Sequence, residues 1–308
     1  MSKYDFGRFD FLKFSIPFAV VSVVLTFMAL GDIFLQGFNY GVDFAGGTEI
    51  QVQFGAPVKA SQVREFTTQV GFPDASVQSI GDDNEFLIRI GTVAGKTESE
   101  TNTILNETIK KITDGLTQHF SAESPNVRRV DTVGPQVGSE LKKNGILAAF
   151  YALLLILIYI GLRFDYEFAP GAVFCLFHDA IITMGIYSIF DLEVTVQTMA
   201  AILTIIGYSL NDTIIIFDRM RENAEVYRGK DFRWLANRSM NDTLSRTLLT
   251  SITTFLTVTA MYFLAGGVIA DFALTMMIGI ILGTYSTMYV AIPLVLFFDK
   301  MQKSFKKA

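Results

Sequence analysis

Between Val196 and Phe217 the chain reads VQTMAAILTIIGYSLNDTIIIF, a run long enough to cross a bilayer, with a single carboxylate, Asp212, inside it. At 1.5 Å of rise per residue, about 20 residues cross a hydrocarbon core about 30 Å thick. Five more runs of this kind flank it: Phe11–Leu30, Gly145–Leu162, Ala169–Phe190, Thr247–Gly267 and Phe272–Phe298. Composition agrees. Of 308 residues, 51% are hydrophobic and 18% charged, against roughly 25% charge in a soluble domain, and the mean hydropathy is +0.40. The pattern predicts a polytopic α-helical membrane protein with six transmembrane helices. It excludes a soluble globular enzyme, a disordered chain and a fibrous one. A formal net charge of −5, with no Lys/Arg stripe on a soluble face, argues against nucleic acid as a partner. The lone cysteine, Cys175, excludes an intrachain disulfide and multi-cysteine metal sites, and His119 and His178 are too few for a histidine-rich one.

Orientation follows from Lys and Arg in the short loops. Lys3, Arg8 and Lys13 precede or open the first span. Arg163 lies between spans two and three, and Arg219, Arg221, Arg228, Lys230, Arg233 and Arg238 lie between spans four and five. Lys300, Lys303, Lys306 and Lys307 follow the last span, whereas the connections around Asp191–Glu193 and Asp271 carry no basic residue. Lys142 and Lys143 oppose this count but end a long segment, where the charge rule is weak. Both termini are therefore expected in the cytoplasm. The first run is too long for a cleavable signal peptide and lacks a small-x-small cleavage site, so it reads as a retained anchor. The expected organisation is a cytoplasmic N-terminus 1–10, a first helix 11–30, an extracytoplasmic domain 31–144, helices two to six over 145–298 with a cytoplasmic loop 218–246, and a cytoplasmic tail 299–308.

The insert 31–144 is large enough for one small domain. Thr48–Phe54 alternates as a strand, Ala60–Val70 reads helical, and Ser76–Ile80 with Glu85–Ile90 flank the turn Asp82-Asp83-Asn84. Glu98–Phe120 is a long helix with Ile104, Leu105, Ile109, Ile112, Leu116 and Phe120 near one face, and Val127–Val133 closes the set. The order βαββαβ predicts a ferredoxin-like α+β sandwich. Gly91-Thr-Val-Ala-Gly95-Lys96-Thr97 resembles a phosphate-binding loop. It has one residue too few between its glycines, follows a hairpin strand and is expected on the side away from ATP, so it reads as a polar loop.

Ionisable groups inside a span are costly and point to function. Asp212, next to Asn211 and Thr213, lies about 9 Å of helix inside the edge marked by Asp218-Arg219. Arg246 and Thr250 stand four residues apart on one face of the fifth span, with Thr253, Thr254 and Thr257 beyond them. Because spans four and five are antiparallel, a long arginine can reach Asp212, and an acid facing an arginine can alternate between ion pair and neutral acid. The plainer alternatives are an arginine snorkelling to the interface, an aspartate that only bonds a neighbouring helix, and threonines that act as packing glue. His178 and Asp179 form a second buried pair, whose simplest reading is structural.

Several stretches resemble the SecF family of bacterial protein-export membrane subunits. IGYSLNDTIIIFDRMREN at Ile206–Asn223 is similar to its fourth-span signature. Asn39–Glu49, NYGVDFAGGTE, resembles its motif after span one, and Asp131–Leu141, DTVGPQVGSEL, its motif before span two. His178-Asp179 and SRTLLT at Ser245–Thr250 fit in order and spacing. The resemblance places the chain in the resistance-nodulation-division superfamily. It implies a six-span subunit that pairs with SecD into a pseudo-symmetric twelve-span unit in the bacterial inner membrane. That unit works with the SecYEG channel, with YajC and indirectly with SecA, on translocating unfolded preproteins. It further implies use of the proton-motive force, with protons as the coupling ion and no other cofactor, and no enzymatic activity. The positions carried over are Asp212, Arg246 and Thr250 for the proton relay, with Asp43, Gly46 and Gly47 in the family motif, while Asn211, His178 and Asp179 are read as structural or accessory polar residues. The competing readings are a proton-coupled exporter of small molecules or lipids from the same superfamily, and a membrane-anchored binding or sensor domain.

Overall fold

A computed structural model describes residues 9–79, 84–91, 98–164, 168–265 and 267–305. The phosphate-loop-like stretch beyond Gly91 and the turn at Asp82-Asp83 lie outside these residues, as do Lys3, Arg8, Lys306 and Lys307. Six helices are long and apolar enough to cross a membrane. They are α1 (Ser15–Leu35, entered through the 3-10 turn Phe11–Phe14), α5 (Pro135–Arg163), α6 (Ala169–Ile189), α7 (Val196–Val226), α8 (Phe232–Ala265) and a final span, Gly267–Met301. The final span is α9 (Gly267–Ser286), a π-helical turn (Thr287–Ala291) and α10 (Ile292–Phe305).

Helix α5 starts where Pro135 follows Gly134, a position at which the missing proline N–H is no loss. Helix α7 starts at Thr195, whose hydroxyl accepts the Thr198 amide at 3.2 Å. Helices α6 and α7 are the buried centre of the bundle, while α5 and α8 turn most of their surface outward. Lipid gives no hydrophobic drive for helices to associate, so close approach depends on small residues. Gly279 and Gly283 on α9 provide it: a Cβ at Gly279 would stand 2.2 Å from Ile205 Cδ1, and one at Gly283 3.0 Å from Ser209 Cβ. Gly185 on α6 meets Ala29 of α1 in the same way.

Between α1 and α5 lies the insert domain: β1 (Asn39–Tyr40), α2 (Val42–Ala45), β2 (Gly47–Gln53), α3 (Ala60–Gln69), β3 (Ser76–Ser79), β4 (Glu85–Gly91), α4 (Glu98–His119) and β5 (Asn126–Val133). The four long strands form an antiparallel sheet in the order β3-β4-β2-β5. Alternation along β2 buries Ile50 and Val52, which join Phe54 from the following turn, Val63 and Phe66 of α3, and Ile112 and Leu116 of α4 in one core. The double glycine opening β2 has a steric cause. Gly47 has φ +142°, and a Cβ there would stand 2.4 Å from the Ile90 carbonyl oxygen.

Several segment limits differ from those read in the sequence. The first span runs to Leu35, and α5 starts ten residues before the expected Gly145, because helix continues past the hydrocarbon edge. The segment 218–246 is not a loop. Helix α7 extends to Val226 and α8 begins at Phe232, so only residues 227–231 connect them. These polar extensions hold each other: Arg219 Nε donates to Asp242 Oδ2 at 3.0 Å, Asn223 Nδ2 to Ser239 Oγ at 2.9 Å, and Arg163 pairs with Asp218 at 2.6 Å. Hydropathy ends where the charges begin, but the helix does not. On the same side, Asn237 and Asn241 of α8 bind the backbone of Phe9, with Nδ2 to O distances of 3.0 and 2.9 Å.

Candidate functional site

Asp212 sits in the middle of α7 and is 2% exposed. It makes no hydrogen bond, and no ion pair within 4.0 Å, among the described residues. Arg246, on α8, is exposed on the outer face of the bundle. The two residues of the expected relay are thus not in contact: one is buried and the other exposed. Thr250 is half-buried, and its hydroxyl donates back to Arg246 O and Thr247 O, both at 3.0 Å. Thr253, Thr254 and Thr257 likewise donate to Leu249 O, Thr250 O and Thr253 O at 2.8–2.9 Å. In a span without water, a threonine hydroxyl satisfies itself on the carbonyl one turn back. The hydroxyl stripe is therefore committed to its own helix as donor and keeps only its acceptor lone pairs. Thr247 behaves differently: it is buried and its hydroxyl has no hydrogen-bond partner. Asn211 is exposed, turned away from the buried side that holds Asp212 and Thr213.

His178 and Asp179 come together deeper in the bundle. Asp179 bonds His178 Nδ1 and the hydroxyls of Ser209 and Ser286, which links α6, α7 and α9 through one carboxylate. Neither serine was legible as part of a site: Ser209 lies one turn before Asp212 in a packed face, and nothing marks Ser286.

The insert domain is tied to the end of α7 remote from the acid. Residues 39–40 pair in parallel with β6 (Glu193–Val194), and Gly41 N–H donates to Val194 O at 3.0 Å. Asp43 of the double-glycine motif accepts the amide of Val196, the first residue of α7, at 3.0 Å. A carboxylate there satisfies an orphan N–H and faces the positive end of the helix. Ser188 Oγ donates to Gly37 O at 2.8 Å. From β4, Arg89 reaches Glu49 Oε2 and Glu193 Oε2, each at 2.6 Å, and Gln78 Oε1 at 3.2 Å. Burial pulls the Arg89 guanidinium down, but Glu193 and Glu49 outweigh it and hold it above its ordinary range. Burial raises the Glu193 carboxyl above its usual range, with Arg89 opposing. Val196 and Asp212 are 16 residues apart, about 24 Å along one continuous helix.

The family described as "Protein export membrane protein SecD/SecF, C-terminal" matches residues 112–301, and the "SecD/SecF GG Motif" matches residues 33–58. The protein translocase subunit SecF of Magnetococcus marinus is 43% identical over 292 residues, covering 95% of this chain and 92% of that protein. The subunit of the same name from Pseudomonas aeruginosa is 40% identical, covering 92% of this chain and 90% of that one. The crystal structure of SecDF, a translocon-associated membrane protein from Thermus thermophilus, superposes with a TM-score of 0.79 at 37% identity. It covers 95% of this chain and 39% of the SecDF chain. A multi-pass helical bundle carrying the double-glycine motif and matching these relatives nearly end to end belongs to the SecD/SecF family of protein-export membrane proteins, as a SecF.

Proposed function

We propose that this Sec translocase auxiliary subunit uses the proton-motive force to promote protein translocation across the bacterial inner membrane, with protonation of Asp212 as the driving event. The observation that carries this reading is Asp212 itself, an acid 2% exposed in the apolar bundle with no hydrogen bond or ion pair among the described residues. An ionised aspartate there demands a counter-charge, and a protonated one does not. In the ionised state Arg246 swings inward to pair with Asp212, close to Thr250; on protonation it is released and α7 and α8 shift. Moving one charge through 100 mV provides about 2.3 kcal/mol, enough to reverse the populations of two states lying close in energy.

The insert is read as a ferredoxin-like domain on the periplasmic side, with both termini in the cytoplasm. Its sheet order and βαββαβ sequence support the first assignment, and the basic residues of the opposite side support the second. The domain follows α7 through Asp43, β6 and Arg89 and acts on the emerging, unfolded preprotein. SecD, a second six-span subunit, covers the face of α8 on which Arg246 is exposed. The assembled pair works with the SecYEG channel, with YajC, and with SecA only indirectly. Protons are the coupling ion, no other cofactor takes part, and no covalent chemistry is performed.

The test is preprotein translocation into vesicles with and without an ionophore. Asp212→Asn, nearly isosteric with the protonated acid, is expected to assemble normally and lose the ionophore-sensitive stimulation. Arg246→Met is expected to do the same. An Asp212→Asn subunit that retains the full ionophore-sensitive part makes Asp212 a packing residue.

A further inference from the structure

The Asp212 mechanism leaves the His178–Asp179 pair unused. Asp179 is fully buried. Its Oδ2 accepts from Ser209 Oγ at 2.6 Å and from Ser286 Oγ at 2.8 Å, and its Oδ1 lies 3.0 Å from His178 Nδ1. Two hydroxyl donors and a ring N–H converge on one carboxyl group. Nδ1 must carry a hydrogen to serve as the third donor, so Nε2 is a bare acceptor in the neutral ring and a donor in the imidazolium. That atom is buried without a hydrogen-bond partner, and His178 as a whole is 7% exposed. An unpartnered buried acceptor costs roughly 1–3 kcal/mol, which marks Nε2 as a position where something binds.

The imidazole forms part of the wall of a crevice of about 560 Å³ between α1, α6 and the final span, lined also by Ser22, Thr26, Phe174, Tyr289 and Phe297. The groups facing the pair are few. From α1 come the hydroxyls of Ser22, bonded to Tyr285 Oη at 2.8 Å, and of Thr26, bonded to Ser22 O. From the final span come Tyr285, whose ring stacks on the imidazole with centroids 6.3 Å apart, and Tyr289. From α7 comes Ser209, with Asp212 one turn further along. On α6 itself the Cys175 thiol donates to Ser286 Oγ at 3.1 Å. Among the described residues no Lys or Arg pairs with Asp179, so with a neutral ring the pair carries one uncompensated negative charge inside the bundle.

We propose that His178–Asp179 is a second proton-binding site of the chain. A hydronium ion reaching the crevice beside Ser22 and Thr26 gives its proton to Nε2, its O–H bond breaking, and leaves as water. An N–H bond forms there, and the charge that appears on the ring is neutralised in place by the Asp179 carboxylate. With an ionised Asp179, the pair passes from a charge of −1 to zero. Asp179 grips α7 through Ser209, one turn from Asp212, and grips α9 through Ser286, the last residue before the π-helical turn. Such turns concentrate at functional sites. Filling Nε2 lessens what the carboxylate demands of the two serines and loosens that three-helix joint. The consequence for transport rests on the proton-driven reading above; the binding of the proton does not.

The experiment exploits composition. His119 and His178 are the two histidines of the chain, so a His119→Gln variant with ¹⁵N-labelled histidine in phosphatidylethanolamine–phosphatidylglycerol nanodiscs reports His178 alone. The Nε2 signal is expected to convert from bare to protonated between about pH 8 and about pH 5, the range in which imidazole changes charge. Asp179→Asn is expected to lose the conversion, and Asp212→Asn to keep it. A ring that stays neutral over the whole range overturns the proposal, as does a conversion indifferent to Asp179→Asn. Should Asp179→Asn not assemble, the parent titration decides alone. If His178 converts while export shows no ionophore-sensitive part, the proton-driven reading fails and this site stands.

Discussion

Replacing Arg89 by Met keeps the aliphatic stem and removes the charge that joins the insert domain to the α6–α7 connection. Arg89, Glu49 and Glu193 have side chains only 9%, 12% and 18% exposed, and both ion pairs are 2.6 Å long. Removing one partner of a buried pair costs about 3–5 kcal/mol, because the remaining charge is stranded. With some solvent reaching all three groups, roughly 3 kcal/mol is the better figure, or about two decades in the ratio of docked to undocked domain. The domain core of Ile50, Val52, Val63, Phe66, Ile112 and Leu116 does not include Arg89 and should persist. The cost should fall on the joint, where β1–β6 pairing, the Asp43–Val196 bond and the Ser188–Gly37 bond are left to hold the domain. Hydrogen exchange of the purified subunit in nanodiscs measures it. Protection at residues 39–46 and 193–196 is expected to drop on the order of 100-fold, with β2 and β4 unchanged. The pH dependence has a definite sign. Burial raises the Glu193 carboxyl in the docked state, so docking takes up a proton. Its contribution is complete below the ordinary carboxylate range and declines as pH rises through the raised one. Arg89→Met removes the opposing charge and should steepen that decline, while Glu193→Gln should flatten it. Faster exchange in β2 and β4 with an unchanged joint would refute this account and make Arg89 a sheet residue only.

Two further substitutions probe how the acid is held and how its motion is passed on. Gly279→Ala places a methyl 2.2 Å from Ile205 and should cost about 1–3 kcal/mol by overpacking, read as a lower unfolding temperature in detergent. Combined with Ile205→Ala, the pair should couple by at least about 1 kcal/mol, and simple additivity would show that α7 and α9 are not in the contact described. Asp43→Ala should cost about 0.5–2 kcal/mol at the N-terminus of α7 and raise exchange at the Val196 amide. Asp43→Asn, which still accepts that hydrogen bond, should retain most of the protection. Equal losses in the two variants would assign the effect to charge alone.

Much of this architecture is legible in the sequence because it rests on local chemistry. Hydropathy locates the six spans, since each must satisfy its own backbone in lipid, and a lone acid between Leu210 and Thr213 stands out for the same reason. Alternation in TEIQVQF and the punctuation of the insert give its strands and helices. What the sequence hides is what long-range pairing decides. Helices α7 and α8 run well beyond their apolar stretches because Arg219 and Asn223 find Asp242 and Ser239, 16 to 23 residues away. Arg89 finds Glu193 across more than 100 positions, and Asp179 finds Ser286 at a separation of 107. No local pattern marks such partners.

Arg246 shows the limit most clearly. Its spacing from Thr250 places both on one face, and the antiparallel course of α7 and α8 brings that face near Asp212, as read from sequence. Side-chain direction was not readable, and the arginine lies on the outside of the six-helix unit. Arg246 stands at the polar edge of the apolar run that begins at Thr247, where a long side chain can reach the interface. Helix α8 is little buried and carries Arg246, Thr253 and Thr257 on its open surface, the face that the proposed second subunit would cover. This chain covers 39% of the SecDF chain that it superposes on. A second six-span unit against α8 would bury Arg246, lower the local dielectric and strengthen its pull on Asp212. The proposed Asp212–Arg246 pair is then expected to close in the assembled complex and to stand open in the isolated subunit. Disulfide trapping of cysteines introduced at Asn211 and Thr250, in chains lacking Cys175, should report the difference between the two. Equal trapping with and without the partner would mean that the partner does nothing to the site.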